Sequence, residues 1–120
     1  MAYQSFEQLD VWKRARRLAV EVSRTVAKSK QYALKDQMQR AAISIPSNIA
    51  EGSERDSKQD FIRFLRTAKG SAAELRTQCY IAVKLEILTK EAADSFVQET
   101  KEISAMLQGL IRSLSPKLKT

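Results

Sequence analysis

The sequence predicts an all-α fold, an antiparallel up-down-up-down four-helix bundle, from three observations. Three glycines and two prolines among 120 residues leave few sites for the turns of a multi-stranded sheet. Alanine, leucine, lysine and arginine are abundant, and all four are strong helix formers. Apolar side chains recur with the helical period along most of the chain. The length fits a single domain over residues 1–120 that can bury its own core.

The first helix is predicted over residues 8–29, preceded by a candidate capping box from Ser5 to Gln8. Its apolar residues fall within about 120° of a helical wheel; they are Val11, Trp12, Ala15, Leu18, Ala19, Val22 and Val26. Basic residues cluster on the opposite side, namely Lys13, Arg17, Arg24 and Lys28, with Arg14 close by. One face is therefore expected in the core and the other in solvent.

The second helix is predicted over residues 33–51, and its apolar period continues through Pro46. An interior proline costs a helix roughly 3 kcal/mol and removes one hydrogen bond. The carbonyl that loses its partner is that of Ala42, and the hydroxyl of Ser44 or Ser47 is expected to help satisfy it. Such a cost indicates a bend packed closely against other helices. Gly52 is the expected C-terminal cap.

The third helix is predicted over residues 57–86, with Asp56 or Ser57 as its N-terminal cap. Its main apolar stripe runs from Phe61 to Val83. A second stripe lies about 100° away and consists of Ile62, Ala73, Tyr80 and Ile87. A helix with two apolar faces has two partners, so the second stripe contacts another core helix or a neighbouring subunit. Gly70 in mid-helix predicts close approach of another backbone.

The fourth helix is predicted over residues 89–114, with Thr89 as cap and Pro116 beyond its end. Its apolar residues alternate between spacings of three and four: Phe96, Thr100, Ile103, Leu107, Leu110 and Leu114. This is the seam of antiparallel helical bundles.

The composition argues against an enzyme and against a bound cofactor or metal. The chain has no histidine and a single cysteine, which excludes the usual nucleophilic triads and zinc-finger sites. Glu51, Glu54 and Asp56 could together bind a divalent cation, but helix capping and pairing with Arg55 or Lys58 are favoured.

Cys79 lies on an apolar helix face, where a buried, inert thiol is expected. A lone cysteine cannot form an internal disulfide, which fits a reducing cytoplasm. The first residues contain no apolar run of the kind that a signal peptide has. No stretch reaches the ~20 apolar residues of a membrane span.

The net charge of +7 predicts an anionic partner, with nucleic acid favoured over an acidic membrane surface. The candidate phosphate-binding residues are Lys13, Arg14, Arg17, Arg24 and Lys28, with Arg63 and Arg66 adding from the third helix. Glu21 interrupts this row, and such faces are often only solvated surface. No recognition-helix or stacking motif is visible, so binding is expected to depend on shape and charge rather than sequence.

Several motifs give the chain a recognisable pattern from Phe6 to about Leu114. The most specific are Leu9–Lys13 with Ala15, Gln37–Gly52, Phe61–Ser71, and Glu74-Leu75 with Thr77-Gln78. On these motifs the chain resembles the bacterial four-helix-bundle family that includes the proteins encoded in intervening sequences of large-subunit ribosomal RNA genes. Gln39 stands where the family often has the first arginine of an Arg-Arg pair, which removes one charge beside Arg40.

The resemblance implies a protomer assembled into a ring, a homopentamer. The chain is also similar to the accessory protein of diversity-generating retroelements, a basic pentameric bundle that associates with nucleic acid and a reverse transcriptase. We therefore expect a non-enzymatic homo-oligomer that binds structured RNA, such as rRNA, or DNA through a basic surface. The alternative is an oligomeric protein–protein scaffold with no direct nucleic-acid role. Expected packing or interface residues are Arg40, Ser44, Ile45, Pro46, Ser47, Asn48, Glu51, Ile62, Tyr80 and Ile87.

Overall fold

The computed structural model describes residues 5–115, which form four α-helices and one 3-10 turn. The helices are α1 (Asp10–Val26), α2 (Tyr32–Ser53), α3 (Lys58–Lys84) and α4 (Lys90–Leu114), and the turn is Phe6–Gln8. The predicted helix ends agree with these bounds to within three residues, whereas Pro116 lies outside the described residues. No helix in the described range is long and apolar enough to span a bilayer.

The helices form an antiparallel bundle, as predicted. The connections cover only residues 27–31, 54–57 and 85–89, and at about 3.5 Å per residue they cannot return the chain along a whole helix. α1 packs against α2 and α4, and α3 packs against the same two helices. Within residues 5–115, α1 and α3 do not contact each other, so they lie diagonally across the bundle.

The predicted apolar faces of all four helices meet in one core. On α4 the seam is buried at Phe96, Thr100, Ile103 and Leu107, but its last buried residue is Ile111. The expected Leu110 and Leu114 are only partly buried. The change follows from helix geometry, since a straight helix with 3.6 residues per turn drifts away from a strict alternation of three and four.

The helix α2 continues through Pro46, and the proline itself is buried. The side-chain amide of Asn48 donates to the carbonyl oxygen of Ser44 at 2.8 Å and to its hydroxyl at 2.9 Å. The Ser44 hydroxyl also bonds to that of Ser71 on α3, at 2.8 Å. Among the described residues, no side-chain hydrogen bond joins Ser44 or Ser47 to the carbonyl of Ala42. The expectation that one of these hydroxyls satisfies that carbonyl is therefore wrong. The polar groups of this segment tie α2 to α3 instead.

The predicted cap at Gly52 is also wrong, because this residue lies inside α2 and its φ is not positive. A Cβ atom there would stand 2.6 Å from the Cβ of Phe64 and 3.0 Å from Cδ1 of Phe61. Real Cβ atoms do not approach so closely. Glycine is required here because α3 passes directly against the backbone of α2.

Gly70 shows the reverse situation. Nothing lies within 4 Å of a Cβ built at this residue, and the position is exposed. The predicted close approach of another backbone is therefore wrong within the protomer.

Local polar side chains determine where the helices begin. The hydroxyls of Ser57 and Thr89 each accept a backbone N–H at 3.1 Å, from Asp60 and Ala92, so both predicted caps are confirmed. Ser5 accepts from the N–H of Glu7 at 3.3 Å and caps the 3-10 turn rather than α1.

The C-terminus of α3 closes with a Schellman motif. The N–H of Ile87 donates to the carbonyl of Ala82 at 2.8 Å, and that of Glu86 donates to Val83 at 3.1 Å. Glu86 occupies the left-handed position with φ 60°, where glycine is the usual residue. The chain therefore accepts some backbone strain to turn sharply toward α4.

The contact at Gly52 gives a direct test of the packing. We expect Gly52→Ala to lower the free energy of unfolding by about 1–3 kcal/mol, because the added methyl group forces α2 and α3 apart. Gly109→Ala is the matched control, since that position lies inside α4 with nothing within 4 Å. It should stabilise the protein by about 0.5–1 kcal/mol. Urea denaturation measures both, and equal effects would contradict the packing described here.

Candidate nucleic-acid interface and packing face

One row of cations lies on the outer side of α1. Lys13, Arg17 and Arg24 are exposed on the face opposite the buried residues of this helix, and Lys28 is exposed just beyond its end. At 1.5 Å per residue the row covers about 16 Å from Lys13 to Arg24. None of the four has an ion pair or side-chain hydrogen bond with any residue in the range 5–115. We call these four residues the α1 basic row.

Arg14 was predicted to belong to this row, but the structure places it in a bridge between α1 and α4. Its Nε and Nη2 atoms bind the two carboxylate oxygens of Glu99 at 2.9 and 2.6 Å, and Nη2 also contacts Glu102. Nη1 lies 3.6 Å from the sulfur of Met106. The hydrogen bonds that Arg14 donates to these carboxylates raise its pKa above the ordinary value. The prediction is corrected because two acidic partners already occupy this guanidinium.

Arg63 and Arg66 do not extend the α1 basic row either. Both are on α3, which lies diagonally opposite α1. Arg63 pairs with Asp60 at 3.3 Å, and its guanidinium stands 4.8 Å from the centre of the Phe64 ring. Arg66 is exposed on the same helix. The seven predicted cations are therefore divided among an outer row, an internal bridge and a separate corner of the bundle.

The sequence prediction omitted Arg16, which lies beside the row. Its guanidinium carbon is 5.1 Å from the centre of the Trp12 ring, and Phe6 packs edge-on against the same ring at 5.0 Å. Arg16 is exposed and has no acidic partner among the described residues. The Trp-x-x-x-Arg spacing could have indicated this contact, because residues four apart are neighbours on a helix.

The predicted packing motif separates into buried and exposed parts. Ile45 and Pro46 are buried in the protomer's own core, while Ile62 and Ile87 are partly buried against it. Tyr80 is 56% exposed. Glu51 is exposed and accepts from Arg55 at 2.9 Å, as the capping-and-pairing interpretation expected. Only part of the motif is therefore available to another chain.

A shallow groove lies between α2 and α3 above the Ser44–Ser71 contact. Arg40 and Glu74 line it together with these serines. Both charged side chains are exposed and unpaired within the described range. Ile43, next to Arg40 in a neighbouring depression, is 52% exposed, which the sequence prediction did not identify. Ser47, one turn after Ile43 on α2, is also exposed. We call Arg40, Ile43, Ser47 and Glu74 the α2–α3 face.

The remaining candidates are the thiol of Cys79 and possible metal ligands. Cys79 is fully buried as a free thiol, as predicted, and burial raises its pKa to about 11. Over residues 5–115 no three acidic or thiol side chains are grouped so that they could hold a metal ion.

The fold and these surfaces define a class of protein: a small antiparallel four-helix bundle with an unpaired basic row on one helix and a polar groove between two others. The family is shown directly by sequence. The chain belongs to the family described as 23S rRNA-intervening sequence protein, whose model matches residues 7–109. None of the curated protein sequences matches the chain significantly.

A solved structure supports the same assignment. A protein of unknown function from the S23 ribosomal protein family of Bacteroides thetaiotaomicron, determined at 1.70 Å resolution, superposes with a TM-score of 0.79. The two sequences are 26% identical, and the match covers 85% of this chain and 98% of that chain. The family and the four-helix bundle that the sequence predicted are both confirmed.

The role of Arg14 can be tested by its effect on stability. We expect Arg14→Gln to lower the free energy of unfolding by about 0.5–1 kcal/mol, because a half-buried ion pair is lost. The control Arg17→Gln removes an equal charge from an exposed site and should change stability by less than about 0.5 kcal/mol.

The pH dependence of the stability difference between the wild type and Arg14→Gln provides a second measurement. Hydrogen bonds from Arg14 and then Gln98 lower the pKa of Glu102 in the folded state. A lowered folded pKa means that the contribution is present above the ordinary carboxyl value of 4.5 and is lost as pH falls through the lowered pKa. Urea denaturation at a series of pH values from 7 down into the acid range should show the free energies of unfolding of the wild type and Arg14→Gln converging as the pH falls. A difference that persists at low pH would contradict the ion-pair role.

Proposed function

We propose that this protein is a homo-oligomeric bundle that binds structured RNA or DNA through the α1 basic row. The observation that carries the proposal is the absence of acidic partners for Lys13, Arg17, Arg24 and Lys28 within residues 5–115. Arg14, on the same helix, is instead paired with Glu99 and Glu102 of α4. Unpaired cations in line along one helix suit a row of phosphates, and binding releases the counterions of the nucleic acid.

The chemistry of the row favours backbone contacts over reading of base sequence. The net charge of +7 gives a general attraction to polyanions. Val20, which is 43% exposed, lies among the cations and offers no hydrogen bond to a base edge. Glu21 is exposed beside them and repels phosphates, so it limits how the backbone can lie. A family named for 23S rRNA intervening sequences makes ribosomal RNA the first ligand to test.

Self-association is proposed through the α2–α3 face. Arg40 and Glu74 carry opposite charges and are unpaired in the described protomer, so a neighbouring copy can supply the missing partner of each. Half-exposed Ile43 and the open space around Gly70 add apolar area and room for approach. A ring requires a head-to-tail contact, in which this face of one copy meets a different surface of the next copy, and the family resemblance implies five copies.

The two surfaces are compatible with each other. Because α1 lies diagonally opposite α3, a contact centred on α2 and α3 leaves the outer side of α1 uncovered. The exposed Ile43 also supports the alternative, a scaffold that presents this face to a different protein. Recovery of a protein partner that survives nuclease treatment would favour the scaffold.

The nucleic-acid proposal predicts a defined salt dependence. An RNA hairpin should bind with a log–log salt slope of roughly −3 to −4, as four phosphate contacts require. Replacing Lys13, Arg17 or Arg24 by Gln should each weaken binding and reduce the slope by about 1. Lys84→Gln on α3 is the matched control, because it removes the same charge from the far side of the bundle. Absence of binding at low salt, or equal effects of all four variants, would refute the proposal.

The self-association proposal predicts a change of oligomeric state. Ile43→Glu should shift the protein toward monomer in light scattering at micromolar concentration, because it places an unpaired charge in the contact. Val20→Glu is the control, since it makes the same kind of change at a half-exposed aliphatic residue on α1. A monomeric wild type would overturn the proposal, as would dissociation of the Val20 variant alone.

A further inference from the structure

We infer that Arg16, held over Trp12, is a stacking platform for an unpaired base, so that the preferred ligand is RNA with a loop or bulge rather than an uninterrupted duplex. The inference rests on the proposed function, because the platform acts beside the α1 basic row. It adds a recognition element that charge alone does not provide.

The Trp12 ring that underlies Arg16 is itself packed against other residues of the protein. Trp12 packs partly against the core, and Phe6 contacts its ring edge-on at 5.0 Å with an interplanar angle of 68°. The guanidinium of Arg16 stands 5.1 Å from the centre of the Trp12 ring. The cation–π contact favours this position of the guanidinium, so less conformational freedom is lost when a base binds.

The position of Arg16 places the platform at the border of the row. At about 100° per residue, Arg16 lies roughly 60° from Lys13 and 40° from Val20 around α1. A strand whose phosphates contact Lys13 and Arg17 therefore passes directly beside Arg16. A base of that strand can reach the platform only if it is turned out of its helix.

The chemistry of guanidinium favours this use. The group is planar and weakly hydrated, and RNA-binding proteins stack unpaired bases on its face. Trp12 can cover one face and leave the other for a ligand. In a continuous duplex the base faces are already stacked, so the protein meets only phosphates and groove edges.

Arg16 is distinguished from the other cations that contact aromatic rings. Arg55 and Arg63 stand over Phe64, but each is paired with a carboxylate. Lys35, over Tyr32, has no planar group and donates to the carbonyl of Ala27. Among the described residues, Arg16 is the guanidinium over an aromatic ring that has no acidic partner and borders the α1 basic row.

The experiment compares two labelled RNAs that differ by one nucleotide, a fully paired duplex and the same duplex with a single bulged base, by fluorescence anisotropy at one salt concentration. Wild-type protein should bind the bulged RNA about 10-fold more tightly, in the range expected for stacking of one base. Since Trp12 is the sole tryptophan, its emission should change with the bulged RNA and much less with the duplex.

The decisive variant is Arg16→Lys, which keeps the charge and removes the planar group. It should retain duplex affinity within about 2-fold and lose the preference for the bulge. Arg66→Lys on α3 is the control and should keep both the duplex affinity and the preference for the bulged RNA. Circular dichroism of each variant verifies the fold, which an exposed substitution of equal charge should not alter.

The outcomes separate this inference from the proposed function. Equal binding of both RNAs by wild type, or an unchanged preference in Arg16→Lys, would overturn the platform while leaving phosphate binding by the row intact. Failure of both RNAs to bind at low salt would overturn the proposed function and the platform together.

Discussion

The close contact between α2 and α3 is the constraint on which the rest of the structure depends. Gly52 lets α3 pass with Phe64 and Phe61 against the backbone of α2, and Ser44 bonds to Ser71 at 2.8 Å further along. A helix that carries an interior proline needs such support, because its own ladder lacks a hydrogen bond. The most specific motif of the sequence is therefore explained first by packing within one protomer.

This pair of helices determines what α1 can do. With α2 and α3 fixed, α1 closes the bundle on the far side, between α2 and α4, and Arg14 joins it to α4 through Glu99. The adjacent basic residues gain no such partners and stay on the outer side. One helix thus carries both a structural cation and a free row, although the two kinds of residue are neighbours in the sequence.

The sequence could predict features that depend on residues close together in the chain. The apolar stripes follow from helical spacing, and the caps Ser57 and Thr89 act on N–H groups three residues away. Gly52 and Arg14 were misassigned because their partners are distant. The Phe64 that excludes a side chain at Gly52 lies on another helix, and Glu99 is 85 residues from Arg14. No single helical wheel contains that information, so the division of the basic residues required the three-dimensional arrangement.

We propose that α1 carries the ligand-binding surface and that α2 and α3 carry the packing. Lysine acetylation with mass spectrometry, in the presence and absence of an RNA hairpin, tests this most directly because it locates contacts without changing the protein. Lys13 and Lys28 are exposed on or next to α1, whereas Lys84 and Lys101 are exposed on α3 and α4. We expect RNA to slow acetylation of the first two and to leave the other two unchanged. Protection of Lys84 or Lys101 without protection of Lys13 and Lys28 would contradict the assignment of the ligand-binding surface to α1.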